Sequence, residues 1–362
     1  MKTRYLILAL ALAAVLALVA CAGAVAPTRA PAATLAPAVT SAPAATGAPA
    51  ATGAPSAGKP FRVAVVAPSA ANDLAFTQSM VDALKKLQAD MGGSAKFDFV
   101  VTENMFNVTD AASALRDYAS KGYDLVIGHG SQYGASLADI APDFPNTAFA
   151  WGTAVDTFSS KGVKNVFAYT VASDQGGYVE GVIGAKLSKS HILAALGPIP
   201  AGDGQLTVQG FAAGVKATDP NAKVQTAYTQ SFSDVSLMSQ AAQTQIASGA
   251  DVLTGSSQSV VGAISVVKDK GALWFGNQSD QASLAPKNVV ASQVYDWTIA
   301  LKGMYDDIQK GKLGDDVFTM TFKNGGLKMV YNPGYNLPAD IQALADKTVQ
   351  GLSDGSIQTG VK

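Results

Sequence analysis

The chain has 362 residues and a net charge of −1, and only 15% of the residues are charged. Nothing in that balance suggests nucleic acid, which would call for a basic patch. One cysteine and two histidines exclude an internal disulfide and the usual His/Cys metal cluster.

In chain order, residues 1–20 read as a signal peptide. MKTRY supplies positive charge, and an unbroken apolar run from Leu6 to Ala20 follows. The run is shorter than the ~20 apolar residues of a spanning helix. It ends in Leu18-Val19-Ala20-Cys21, which resembles a bacterial lipobox. Cys21 is therefore expected to be lipidated and to anchor the mature protein on the extracytoplasmic side of a membrane. Acyl chains contribute ~0.8 kcal/mol per buried CH₂. Residues 21–60 carry that cysteine and a linker of Ala, Pro, Thr, Ser and Gly, with APAATG repeated from Ala42 and Ala48. Such a segment has too little apolar side chain to fold. It acts as an extended spacer reaching up to about 100 Å at ~3.1 Å per residue.

From Phe61 the pattern becomes that of an α/β protein. FRVAVVAP, KFDFVVTEN, YDLVIGHG and TAFAWGT read as strands, separated by helices over 74–90, 108–121 and 134–141. NVFAYTV, ILAALGPI, KVQTAYTQSF, DVLTGSS, ALWFGNQ and NVVASQVY form a second series. Its helices fall over 174–187, 205–218, 235–247, 259–269 and 297–310. Strands that are nearly continuous in apolar residues suit parallel sheets covered on both faces. Two Rossmann-like lobes of about six strands each, joined by hinge strands, are expected rather than one very wide sheet. Lobe I takes residues 61–170 and about 294–318. Lobe II takes 171–293 and about 319–335. A C-terminal helix and tail occupy 336–362, with their lobe left open.

Ligands of open α/β sheets sit beyond the carboxyl ends of the strands. Those ends are polar here and interleaved with aromatics: SAAND, HGSQYG, WGT, QSF, GSSQS and GNQSDQ. The composition suits a cleft that stacks a flat group and hydrogen-bonds its edges.

Several of these segments resemble the basic membrane protein family, the substrate-binding lipoproteins of ABC transporters. NDLAFTQS, KGYDLVIGHG, ASDQGGYVEGVIGAKLSKS, QGFAAGVKATDPNAKV, SGADVLTGSSQ, GNQSDQ and KNGGL carry the resemblance, from about Phe61 to Gly326. It implies the type I periplasmic-binding-protein fold and a purine nucleoside as ligand. It also implies ABC permease and ATPase subunits as partners, with the chain itself a monomer. By the same resemblance Phe76 and Phe232 stack on the base, Asp280 accepts from ribose hydroxyls, Asp73 is an elbow acid, and Gly255 lets the ligand approach closely. Asn72, Thr153, Gln278 and Tyr295 depart from the family's acids and lysine and favour a flat, polar, largely neutral solute. Asn72, Tyr133, Trp151, Gln278 and Tyr295 complete the candidate ligand-binding set.

Structural duties compete for the same residues. Phe76, Met80, Leu84 and Leu87 share one helix face, so Phe76 is either the top of a core stripe or a stacking platform. Asp73 stands where an N-cap belongs. Trp274 reads as core, and Trp151 fits either place. Asp280 has no evident structural duty. No G-x-S-x-G elbow or Walker A loop occurs. Gly202-Asp203-Gly204 has Thr207 where a dinucleotide fingerprint needs its third glycine. Neither catalysis nor a metal or other cofactor is expected. The remaining readings are solute delivery to an ABC permease, or ligand sensing through a membrane partner without transport.

Overall fold

The computed structural model describes residues 58–361. The signal peptide, Cys21 and nearly all of the linker lie outside the described residues. The first half of the fold runs β1 (Phe61–Val66), α1 (Phe76–Asp90), β2 (Phe97–Thr102), α2 (Val108–Ser120), β3 (Leu125–Gly128), α3 (Gly134–Ile140), β4 (Ala148–Gly152) and β5 (Val166–Val171). The second runs α4 (Ser173–Leu187), β6 (Ile192–Gly197), α5 (Gly202–Thr218), β7 (Lys223–Tyr228), α6 (Val235–Ala247), β8 (Val252–Gly255), α7 (Val260–Lys270), β9 (Leu273–Gln278) and β10 (Val289–Tyr295). α8 (Thr298–Gln309), β11 (Val317–Met320), β12 (Leu327–Tyr331) and α9 (Ala339–Asp354) close the chain.

These strands make two six-stranded sheets, ordered β11-β5-β4-β3-β1-β2 and β12-β10-β9-β8-β6-β7. All pairs are parallel except β10 with β12. Central strands such as β3 and β8 are buried throughout, which is why they read as plain apolar runs. Two edge strands, β7 and β11, are exposed or half-buried at every position but Met320. The chain leaves the first sheet after Val171, returns after Tyr295, and crosses again between Met320 and Leu327. β11 thus straddles the expected 318/319 lobe boundary. α9 packs on α4 of the second lobe, where Ala345 and Leu352 join Val179 and Ile183 in one cluster.

In the first lobe, Phe76, Met80, Leu84 and Leu87 line the core with Trp297, Leu301 and Met304. Trp274 is fully buried in the second. The pairing of α4 with α5 has a different basis. Gly177 and Gly181 on α4 face Gly210 and Gly214 on α5, each pair four residues apart. A methyl group at Gly177 would lie 2.4 Å from Thr207 O, and one at Gly181 2.2 Å from Phe211 O. The backbones touch, and this contact sets where the first turn of α5 emerges.

Candidate functional site

Between the lobes lies a cleft lined from the carboxyl ends of strands in both sheets, as open α/β sheets require. Its floor includes Phe76, and its first-lobe wall includes Gly130, Ser131, Gln132 and Thr153. The second-lobe wall comes from the first turn of α5 and from Phe232, Ser256, Gln258 and Gln278. Thr153 and Gln278 hold left-handed backbone, at φ 55° and 72°. For such residues this costs roughly 1–3 kcal/mol each and gathers at functional sites.

Phe76 serves both duties considered from the sequence: it closes the core stripe and also borders the cleft. Its ring stacks on His129, with centroids 3.9 Å apart and planes 2° apart. The His129 ring is fully buried, and burial lowers its pKa to about 3, so it is neutral. Nδ1 lies 2.7 Å from the Tyr169 hydroxyl and Nε2 lies 3.2 Å from Phe76 O. Only a ring with hydrogen on Nε2 satisfies both when the tyrosine donates. Phe76 is thereby held flat. At the mouth, Phe106 of the first lobe meets Phe232 of the second at 6.1 Å.

Polar atoms facing this cleft lack partners. Oδ2 of Asp203, Oε1 of Gln258 and Oε1 of Gln278 are buried without a hydrogen bond. All three are acceptors, and Gln278 as a residue is only 4% exposed. Buried polar atoms are nearly always paired, so three orphans around one cleft mark where a ligand's donors belong. Burial raises the Asp203 carboxyl above its ordinary value, while the Gly204 N–H and the Gln278 side chain favour its charged form. Asp203 is the one charged side chain among the described residues that line the cleft.

Of the ten expected ligand residues, Phe76, Phe232 and Gln278 line this cleft and the other seven do not. Asp73 is spent on its helix: Oδ1 accepts from Ala75 N and Gln78 N, and Oδ2 from Thr77 N and the Ser69 hydroxyl. Such a cap contributes about 1 kcal/mol. Asn72 beside it is exposed. Tyr133 is buried and donates to Met105 O, and Trp151 stacks on Phe158 and donates to Ser131 O. Gly255 allows close approach, but of the Trp274 ring, which a methyl there would meet at 2.8 Å. Tyr295 is buried and donates to Asn277 Oδ1. Asp280 is exposed and accepts from Ala282 N.

Its neighbours Ser279 and Gln281 instead cross between the lobes. The Ser279 hydroxyl donates to Ala75 O at 2.8 Å, and Gln281 Nε2 donates to Leu74 O at 3.2 Å. Sequence reasoning passed over Asp203, Gln258 and Phe106. The first lies in the G-D-G segment, whose local pattern signals no more than an incomplete dinucleotide loop. The second lies in GSSQS, a polar strand end in which no local signal singles out one residue.

Two lobes facing each other across a cleft at their strand ends are the architecture of the periplasmic solute-binding proteins. The chain belongs to the family of PnrA-like ABC transporter substrate-binding proteins, which it matches over residues 61–357. It is similar to a purine-binding protein of Brucella abortus, 26% identical over 301 residues, covering 83% of each chain. Basic membrane protein A of Borreliella burgdorferi is 25% identical over 297 residues, covering 80% of this chain and 85% of that one. In fold, the chain resembles an ABC transporter solute-binding protein from Conexibacter woesei, with a TM-score of 0.67 and 24% identity. That likeness covers 82% of this chain and 98% of the other.

Proposed function

We propose that this protein is an extracytoplasmic lipoprotein that captures a purine nucleoside and delivers it to an ABC permease. The observation that carries the reading is the set of unpartnered acceptors on Asp203, Gln258 and Gln278 beside the aromatic faces of Phe76 and Phe232. A nucleoside offers a flat ring for the aromatics and N–H and O–H groups for the acceptors. The purine-binding relative supports the same class. Solute touching both walls favours the state in which the lobes meet, because only that state provides all the contacts. Ser279, Gln281 and the Phe106–Phe232 pair would then report occupancy to the permease as a change in the outer surface.

Thermal melting of the full-length protein with nucleosides, nucleobases and sugars tests this. A nucleoside at 100 times its dissociation constant should stabilise by about 2.7 kcal/mol. Phe76→Leu keeps apolar volume but removes the ring, and should abolish most of that shift. A response to sugars alone would overturn the reading. Anchoring is tested separately, on the motif Leu18-Val19-Ala20-Cys21. Labelled palmitate should enter the wild type and not Cys21→Ala; equal labelling of both would exclude Cys21 as the anchor.

A further inference from the structure

The first turn of α5 opens into the cleft, with Gly202, Asp203 and Gly204 all on its wall. A helix N-terminus with flanking glycines presents free N–H groups and partial positive charge, and such an end commonly takes phosphate. Here the end already carries an acidic side chain of its own, Asp203 in the first turn. The Asp203 side chain stands on the cleft wall beside Gly204, and its Oδ2 is buried without a hydrogen-bond partner. Asp203 is also held in place. The hydroxyls of Ser173 and Thr207 both donate to its backbone carbonyl, at 2.8 and 3.0 Å. Behind it, the glycine contact of α4 with α5 fixes the helix.

The rest of the wall agrees in sign. The buried Gln278 Oε1 and the Gln258 Oε1 add unpartnered acceptors. No lysine, arginine or histidine is among the described lining residues. We propose that Asp203 sets the charge selectivity of the cleft. It occupies the α5 N-terminus with an internal carboxylate, refuses solutes bearing phosphate, and receives N–H or O–H donors from a solute without negative charge. The solute named, a nucleoside rather than a nucleotide, rests on the function proposed above; the role of Asp203 does not.

The experiment has two arms on the full-length protein, with wild type, Asp203→Asn and Asp203→Gly compared at matched folding by circular dichroism. In the first, adenosine, guanosine and inosine are titrated against their 5′-monophosphates. Wild type should prefer the nucleoside by roughly 100-fold, and Asp203→Asn should narrow that ratio by roughly tenfold, since a like-charge clash is removed. An unchanged ratio in Asp203→Asn overturns the proposal. In the second arm, inorganic phosphate alone is added during thermal melting. Phosphate should leave the wild-type midpoint in place and raise that of Asp203→Gly, whose helix end is then free. A midpoint of Asp203→Gly that ignores phosphate overturns the proposal. Should no nucleoside bind wild type, the nucleoside reading fails, while the phosphate arm still decides the role of Asp203.

Discussion

Gly214→Ala is expected to lower the unfolding free energy by about 3 kcal/mol, the upper range for overpacking a tight contact. The added methyl would stand 2.0 Å from Tyr178 O. At Gly210 the corresponding distance, to Asp174 O, is 2.1 Å. Both obstacles are backbone oxygens in the first two turns of α4, so no side chain can rotate aside. The helices must separate, and the cavity opened beside Val208, Phe211 and Val215 adds to the loss. Because α5 carries Asp203 into the cleft, ligand affinity should fall as well. Urea denaturation checks the first effect. A loss under 1 kcal/mol would show that the two helices part freely and that the glycine face is not what seats α5.

The second large effect is on stability against pH. Glu180 is fully buried in the second lobe, and burial pushes its carboxyl up to about 8 from an ordinary 4.5. The Thr254 hydroxyl lies 2.8 Å from Glu180 Oε2 and 3.2 Å from Phe275 O. A hydroxyl has one hydrogen to give. Both contacts are satisfied when a protonated Glu180 donates to Thr254, whose own hydrogen then goes to Phe275 O. The folded carboxyl titrates above the unfolded one, so its contribution is fully present below pH 4.5 and is lost as pH rises toward 8. His129 has the opposite sign. Its pKa falls from 6.5 to about 3, chiefly by burial, so its contribution is present above pH 6.5 and lost as pH falls toward 3.

Each slope is about 1.4 kcal/mol per pH unit. Between pH 4.5 and 6.5 the two oppose each other and nearly cancel. Melting temperature should therefore be flat across that window and fall on both sides. Glu180→Gln should erase the alkaline fall up to pH 8 and exceed the wild type at pH 7.5 by roughly 4 kcal/mol. An alkaline limb as steep in Glu180→Gln as in wild type would assign that limb to another group.

Much of the architecture was determined by the sequence. Strands such as LVIG and VLTG are buried on both faces, so they appear as apolar runs whatever their neighbours. The helices between them have their own spacing, and alternation alone then requires parallel sheets. β11 and β12 were not legible as strands, because four or five residues at a sheet edge carry little periodic signal.

At the site, local chemistry reached only as far as local contacts. The SAAND elbow turns the chain and caps α1 through Asp73, as its composition suggested, while its carbonyl end at Leu74 and Ala75 receives the second lobe. Nothing near Asp280 in the chain showed that its loop would cap itself and leave the crossing contacts to Ser279 and Gln281. Asp203 in a G-D-G turn is by itself only a helix start. It becomes the charge of the cleft because glycines on α4 and α5 let two backbones touch, which places that start between the lobes. A sequence fixes which residues cap, pack and extend, because those interactions act over a few positions. Which polar atoms are left unpartnered around a common space depends on contacts between segments far apart in the chain, and only the tertiary structure decided that.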